Sequence, residues 1–293
     1  MDTTLYAARF LHYAAALQLF GLAVFEAFMV PPVLDEWLRG PSGWIARASA
    51  WTLLASAIAW LMLQAGTMGE GWADAANPDV IMTVLASTGF GHVWAVRLVL
   101  AALVLVTVMT MDHSRKRAWA ALALLAAISL GSLGLVGHAT MDSGMFGLVD
   151  EGSQALHLLA SGFWVGSLLP LAFCLRPSAG PRHLDGIGTT LHRFSGLGHI
   201  AVAFVIGTGV INGWSIIGQT LDLASTYDIL LLIKIGLVAA MVGIAVINRY
   251  VFMPRIAHDQ AGVRQLRAGS LAEIVICFGV LALVSVLGVL APA

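Results

Sequence analysis

Nine histidines and eleven methionines stand in a chain of 293 residues, only 11% of them charged, and several fall where polar side chains are costly. His12, His92, His138 and His157 each lie at the end of an apolar segment, and the topology derived below brings all four to a similar depth. The stretch between two of those segments reads Gly137-His138-Ala139-Thr140-Met141-Asp142-Ser143-Gly144-Met145. Imidazole suits copper in either oxidation state and thioether selects Cu(I), so a His/Met mixture is a copper pattern more than a zinc or magnesium one. A carboxylate-dominated oxygen cage, the pattern for a hard cation, is not what these residues offer. The candidate metal ligands are therefore His138, His157, His92, His12, Met141 and Met145. A lone His or Met at a span end is equally well a packed or interfacial residue, the better reading for Met68 or Met82 by itself. The combination of His138 and His157, with His92 near, points to ligation of a metal or a haem.

A second set of residues lies deeper. An ionisable side chain inside a span costs at least ~2.5–3.5 kcal/mol on insertion scales, so each should face a partner or a cavity. Glu26, Arg97, Lys234 and Glu273 are of this kind. His12, Leu19 and Glu26 follow heptad spacing and share one stripe, with His12 and Glu26 about 21 Å apart along a helix axis. Lys234, Met241 and Asn248 repeat that spacing, His192 and His199 share a face, and Cys277 follows Glu273 by one turn. Glu26, Lys234, Asn248, Glu273, Arg97 and His199 are the candidate pathway or gating residues. The competing reading makes the buried charges pairs that fix helix packing. His192, beside Arg193, reads as interfacial. Cys174 and Cys277 form no CxxC pair and read as core residues.

The elements that must position these residues follow from composition. Hydrophobic residues make up 59% of the chain and the mean hydropathy is +0.89, which excludes an ordinary soluble enzyme. A helix needs about 20 mostly apolar residues to cross the ~30 Å hydrocarbon core. Eight such windows occur, approximately Leu5–Val33, Trp44–Thr67, Phe90–Met111, Ala118–His138, Gln154–Leu175, Leu191–Ile217, Thr226–Met253 and Leu271–Ala291. Their all-round apolarity argues for helices over a barrel. The expected fold is an all-α integral membrane protein, one eight-transmembrane-helix bundle occupying residues 1–293 as a single domain. The first window lacks a basic leader and is read as a retained span.

Charge gives the orientation. Arg39, Arg47, Arg115, Lys116, Arg117, Arg176, Arg182, Arg193, Arg249, Arg255, Arg264 and Arg267 fall on one side of an eight-span topology, and only Arg9 on the other. Basic residues are retained in the cytoplasm, so both termini are expected to be periplasmic. The outer side carries the acids Asp2, Glu70, Asp74, Asp79, Asp142, Asp150, Glu151, Asp222 and Asp228. A formal net charge of −1 thus conceals a polarised molecule and excludes a basic nucleic-acid binder. There is no Walker loop, dinucleotide fingerprint, HExxH or GxSxG, so no ATP-driven pump and no enzyme is expected. The pairs Gly162/Gly166 and Gly209/Gly213 suggest close helix packing.

Several motifs occur together from Thr88 onward. Gly137-His138-Ala139 is followed by His157-Leu158-Leu159-Ala160, then by Phe163-Trp164-Val165-Gly166-Ser167-Leu168-Leu169-Pro170. Arg193-Phe194-Ser195, Thr208-Gly209 with Asn212, Thr226-Tyr227 leading to Lys234, Asn248-Arg249 with Pro254, and Glu273 complete the series. Thr88-Gly89-Phe90-Gly91 with Trp94 and Arg97 extends it. In this order they resemble the copper-resistance protein D (CopD/PcoD) family, over about two-thirds of the chain.

The resemblance implies a multi-pass protein of the bacterial inner (plasma) membrane that takes copper from the periplasm and passes it inward, contributing to copper homeostasis and resistance. It also implies a separate periplasmic copper-binding partner of the CopC type, since no such domain is fused here. His92, Met141 and Met145 are not assigned by the resemblance and rest on position alone. In this reading the acidic outer surface concentrates cations. His138 and His157 capture copper with help from His12, His92 or Met141, and Glu26, Lys234, Asn248 and Glu273 line or gate the passage. The alternative is a haem-binding, cytochrome b-like electron-transfer protein with His138 and His157 as axial ligands. Besides the lipid bilayer, the reading leaves room for a homo-oligomer.

Overall fold

A backbone in hydrocarbon must satisfy its own polar groups, which makes each long apolar window a helix. The computed structural model describes residues 1–135, 145–176, 181–217, 222–256 and 260–290. Helix α1 (Asp2–Val24) runs into a π-helical turn (Phe25–Met29) and is followed by α2 (Pro32–Met68). Two short helices, α3 (Trp72–Ala75) and α4 (Pro78–Ser87), lead to α5 (Gly89–Thr110) and α6 (Lys116–Gly131). Then come α7 (Met145–Cys174), α8 (Pro181–Ile217), α9 (Thr226–Ile247) with a second π-helical turn (Asn248–Phe252), and α10 (Gln260–Leu287). Eight of these are long and apolar enough to cross a bilayer, and the described residues contain no strand. The chain is an all-α, eight-span membrane protein.

Four helices begin well before their hydropathy windows. The segments before Trp44, Gln154, Leu191 and Leu271 fall outside those windows, yet each is the start of a helix, and α2 and α8 reach 37 residues. At 1.5 Å per residue that is about 55 Å, well beyond the hydrocarbon core. Hydropathy reports where lipid ends; the helix continues into the aqueous layer carrying Asp35, Glu36, Arg39 and, in α10, Arg264 and Arg267. The apolar Val80–Leu85 stretch falls in α4, whose first turn holds Pro78 and is capped by Asn77, its Oδ1 accepting from the Asp79 amide at 3.0 Å.

Helix α1 occupies the middle, packed by α2, α6, α7 and α10. Its contact with α7 is a backbone contact. A Cβ on Gly21 would fall into the backbone of Gly162 and Gly166, and one on Gly166 into the carbonyl of Leu17. Lipid tails are as apolar as leucine, so helices in a membrane gain from such close approach more than from the hydrophobic effect. Hydrogen bonds exploit it: Ser167 Oγ donates to the Gly21 carbonyl at 3.1 Å and Gln18 Nε2 to the Gly166 carbonyl at 2.8 Å. Gly209 serves differently, since the nearest atoms to a Cβ there belong to the His157 ring.

The last helices are looser. Helix α8 packs chiefly on α7, and α9 on α10. Between α8 and α9 this leaves a cleft floored by α7 and α10, which deepens into a cavity of about 150 Å³.

Two π-helical turns shape the polar sites. In each the amide bonds five residues back, as Val30 does to the Phe25 carbonyl at 3.3 Å, which loosens the carbonyl ladder. Cations complete the first turn: Lys116 Nζ donates to the Glu26 carbonyl at 2.9 Å, and Arg193 Nη1 to those of Phe28 and Met29 at 3.5 and 3.4 Å. The second turn directs Asn248 inward and leaves Tyr250 exposed.

The connection between α5 and α6 lies outside the spans. Hydrogen bonds from the Ser114 hydroxyl and amide hold the Asp112 carboxyl below the usual range, and burial together with the Arg47 guanidinium holds the His113 imidazole below its own.

Candidate functional site

The polar residues of the spans form two separate groups. The first surrounds α1. His12, Leu19 and Glu26 lie on one buried stripe, as their spacing indicates. His12 packs against the adjoining rings of Trp60 and Trp94, each 5.6 Å away between centroids. Ser56 Oγ donates to the Leu53 carbonyl, so it accepts from His12 Nδ1–H at 3.1 Å. Nε2 then accepts from Arg97 Nη2. Both ring nitrogens are engaged, and an incoming metal would have to displace Arg97. The guanidinium also donates through Nη1 to the Ser129 carbonyl at 2.9 Å and Ser132 Oγ at 2.6 Å. Arg9 lies over the Trp60 ring at 4.6 Å and donates to the Ser285 carbonyl at 3.1 Å, tying the two ends of the chain together. What remains without a partner here is donors: Arg97 Nε and Trp60 Nε1.

Glu26, at the far end of that stripe, accepts from Ser42 Oγ. Beside it Lys116 pairs with Asp35 at 2.6 Å. Neither this pair nor Arg115–Asp112 joins two of the four intramembrane charges: Glu26, Arg97, Lys234 and Glu273 do not pair with one another.

The second group lies on α7 to α10, and its inner members Trp164, His199, Asn248 and Glu273 line the cavity. Along α7, residues 154, 157, 161, 164, 168 and 171 form one heptad stripe; along α8, residues 191, 195, 198, 202, 205, 208 and 212 form another. Near the end bearing the chain termini, Asn212 Nδ2 donates to Gln154 Oε1 at 2.7 Å. One turn further in, Thr208 Oγ1 donates to the Phe204 carbonyl and accepts from His157 Nδ1–H at 3.0 Å. That bond fixes the tautomer, and Nε2 of His157 keeps its lone pair with no hydrogen-bond partner among the described residues. A ligating histidine is typically oriented in this manner by a bond from its other nitrogen. Lys234 on α9 is close enough for its charge to act on the imidazole.

At the cavity, about 10 Å further along α7 by helical rise, the side chain of Glu273 is buried. It accepts from Asn248 Nδ2 at 2.8 Å and Trp164 Nε1 at 3.2 Å, two neutral donors. Asn248 Oδ1 is buried without a donor. Gly269 makes room for that amide, since a Cβ there would collide with it. His199 closes the cleft toward lipid: Nδ1–H donates to the Ser195 carbonyl at 2.7 Å, and Nε2 accepts from the Tyr250 hydroxyl at 3.2 Å.

The remaining candidates are placed elsewhere. His92 is exposed on α5 with Nε2–H donating to the Ala86 carbonyl at 2.8 Å. Helix α5 packs on α2, α4 and α6, away from the α7–α8 stripe that carries His157. His138 and Met141 lie outside the described residues, as does the side chain of Met145. No group of three or more His, Cys, Asp or Glu comes together among the described residues. Sequence reasoning missed Thr208, Gln154 and Trp164 as site residues. Their heptad register with His157 and Asn212 was the available signal.

An eight-span helical bundle with a largely apolar cavity among its last four helices, holding one buried carboxyl, defines the class: a multi-pass membrane protein with polar groups inside its spans. Residues 1–148 match the family description "Copper resistance protein D-like, N-terminal domain", and residues 188–287 match "Copper resistance protein D". The chain is 34% identical to "Inner membrane protein YebZ" of Escherichia coli (strain K12), over 87% of this chain and 86% of that one. It is 31% identical to "Copper resistance protein D" of Pseudomonas syringae pv. tomato, over 98% and 96% respectively. A more distant relative, "Copper transport protein CutJ" of Bacillus subtilis (strain 168), is 26% identical over 83% of this chain and 45% of the relative. No solved structure matches. This chain belongs to the copper resistance protein D family, is a multi-pass protein of the inner membrane, and is copper-related in function. The match to the family's N-terminal domain extends the kinship over the first ninety residues, where the sequence motifs are weakest.

Proposed function

We propose that the protein moves copper from the periplasm toward the cytoplasm through the α7–α10 cleft. The observation that carries this reading is His157, whose Nδ1–H is committed to Thr208 and whose Nε2 lone pair has no partner among the described residues, about 10 Å along α7 from the cavity that holds Glu273. A cation needs lone pairs, and this is where the spans offer them. The distribution of Lys and Arg supports placing the termini, and so the His157 end, in the periplasm. The acids of that end would draw in cations or a loaded copper-binding protein of the CopC type. His138 and Met141 from the neighbouring segment are the proposed companions of His157 at the mouth. Asn248, Glu273 and the His199–Tyr250 bond are proposed to line and gate the inner part. Weak, sparse ligation suits a passage, because the ion must also leave.

The test is cellular copper content. Cells producing the wild-type chain should accumulate more copper than cells producing His157→Ala at equal membrane abundance; equal accumulation would count against transport through this cleft.

A further inference from the structure

We infer that the ion passing the cleft is Cu(I), not Cu(II); this rests on the transport reading and specifies its substrate. The cost of taking an ion out of water grows with the square of its charge, so a divalent ion faces about four times the desolvation cost of a monovalent one. A passage for Cu(II) should therefore supply charged or numerous hard donors in a planar arrangement. The described cleft supplies neither. Its end near the termini holds the neutral groups Gln154, Asn212, Thr208 and His157, with the Lys234 ammonium nearby. A positive charge at that point adds to the cost of a second one on the ion. Further in, the cavity walls include Leu168, Val202, Val242 and Ala245, with the Arg249 guanidinium as a second positive charge. Glu273 is the single carboxyl lining the cavity, and two neutral donors already engage it.

Soft donors occur at the intervening depth. Met241 and Cys277 are both buried, on α9 and α10, which pack together. Met241 lies seven residues before Asn248, about 10 Å along α9 and so level with His157; Cys277 lies four residues beyond Glu273, about 6 Å along α10. Cys277 is a free thiol. Behind the cavity lining, an imidazole, a thioether and a thiol at these depths are neutral donors of the kind Cu(I) accepts at low coordination number. A similar set suits silver(I), a redox-inert ion of the same charge.

The full chain in lipid vesicles tests this with copper supplied either anaerobically with ascorbate or as Cu(II) without reductant. The expected result is uptake at least about tenfold faster from the reduced supply, a difference of 1.36 kcal/mol in barrier. Silver(I) should inhibit that uptake competitively, and zinc(II) should not. Met241→Leu and Cys277→Ala should weaken silver inhibition while leaving the melting temperature near that of the wild type. Entry of Cu(II) at an equal or greater rate, or indifference to silver(I), would overturn the inference and leave transport standing. If neither form enters, the transport reading itself fails.

Discussion

The two polar groups inside this bundle differ in what they leave over. Around His12 and Arg97 every acceptor is used, and the unpaired atoms are donors, Arg97 Nε and Trp60 Nε1. Around His157 and Glu273 the side-chain acceptors left without a partner are His157 Nε2 and Asn248 Oδ1, although the cations Lys234 and Arg249 lie in the same region. Both groups contain histidines and charged residues in spans, and composition does not separate them. Both groups carry positive charge, so the difference lies in the lone pairs: surplus donors give a cation nothing to bind, whereas surplus acceptors do. The difference also follows the packing, since α1 is enclosed by four helices whereas α8 and α9 each rest mainly on one. On the proposed function, the first group belongs to the frame and the second to the proposed passage.

The largest effect that should separate them is on stability. Arg97→Ala orphans His12 Nε2, takes one donor each from the Ser129 carbonyl and Ser132 Oγ, which still bond each other, and leaves a cavity, at a cost of about 3 kcal/mol or more. His157→Ala removes one bond at a partly open site and should cost about 1 kcal/mol or less. Thermal melting in detergent checks the pair. Similar losses for the two variants would erase the distinction between frame and passage.

A smaller effect sharpens the same contrast from outside the spans. His113 is held neutral in the folded chain by burial and by Arg47. As pH falls through the ordinary histidine range the unfolded chain takes up the proton first, so its contribution to stability is present above that range and lost below it. Melting temperatures recorded from pH 8 to 5.5 should fall more steeply for the wild type than for His113→Gln. Parallel curves would show that the site contributes nothing.

Hydropathy made the spans legible because the bilayer imposes one length on all of them, and the buried stripe His12–Leu19–Glu26 followed from helical period alone. The partners of the buried charges were not legible. A charge in a span demands compensation, but the sequence does not say of what kind. Arg97 finds His12 and serine oxygens, and Glu273 finds an amide and an indole, where pairing among the four charges was an equal expectation. The π-helical turns at Glu26 and Asn248 also left no local signal, because they arise from tertiary demands on the carbonyls. Gly209 shows the limit of spacing rules: its pairing with Gly213 suggested helix contact, and its actual neighbour is the His157 ring.

The central claim, that copper travels through the cleft and not around it, is most directly tested by copper flux into vesicles for Gly198→Trp beside Gly196→Trp. Both glycines are on α8 with open space where a side chain would go, but Gly198 lines the cavity and Gly196 is exposed on the outside of the helix. The cleft account predicts that Gly198→Trp blocks flux while Gly196→Trp transports as the wild type does. Equal flux through the two would contradict it.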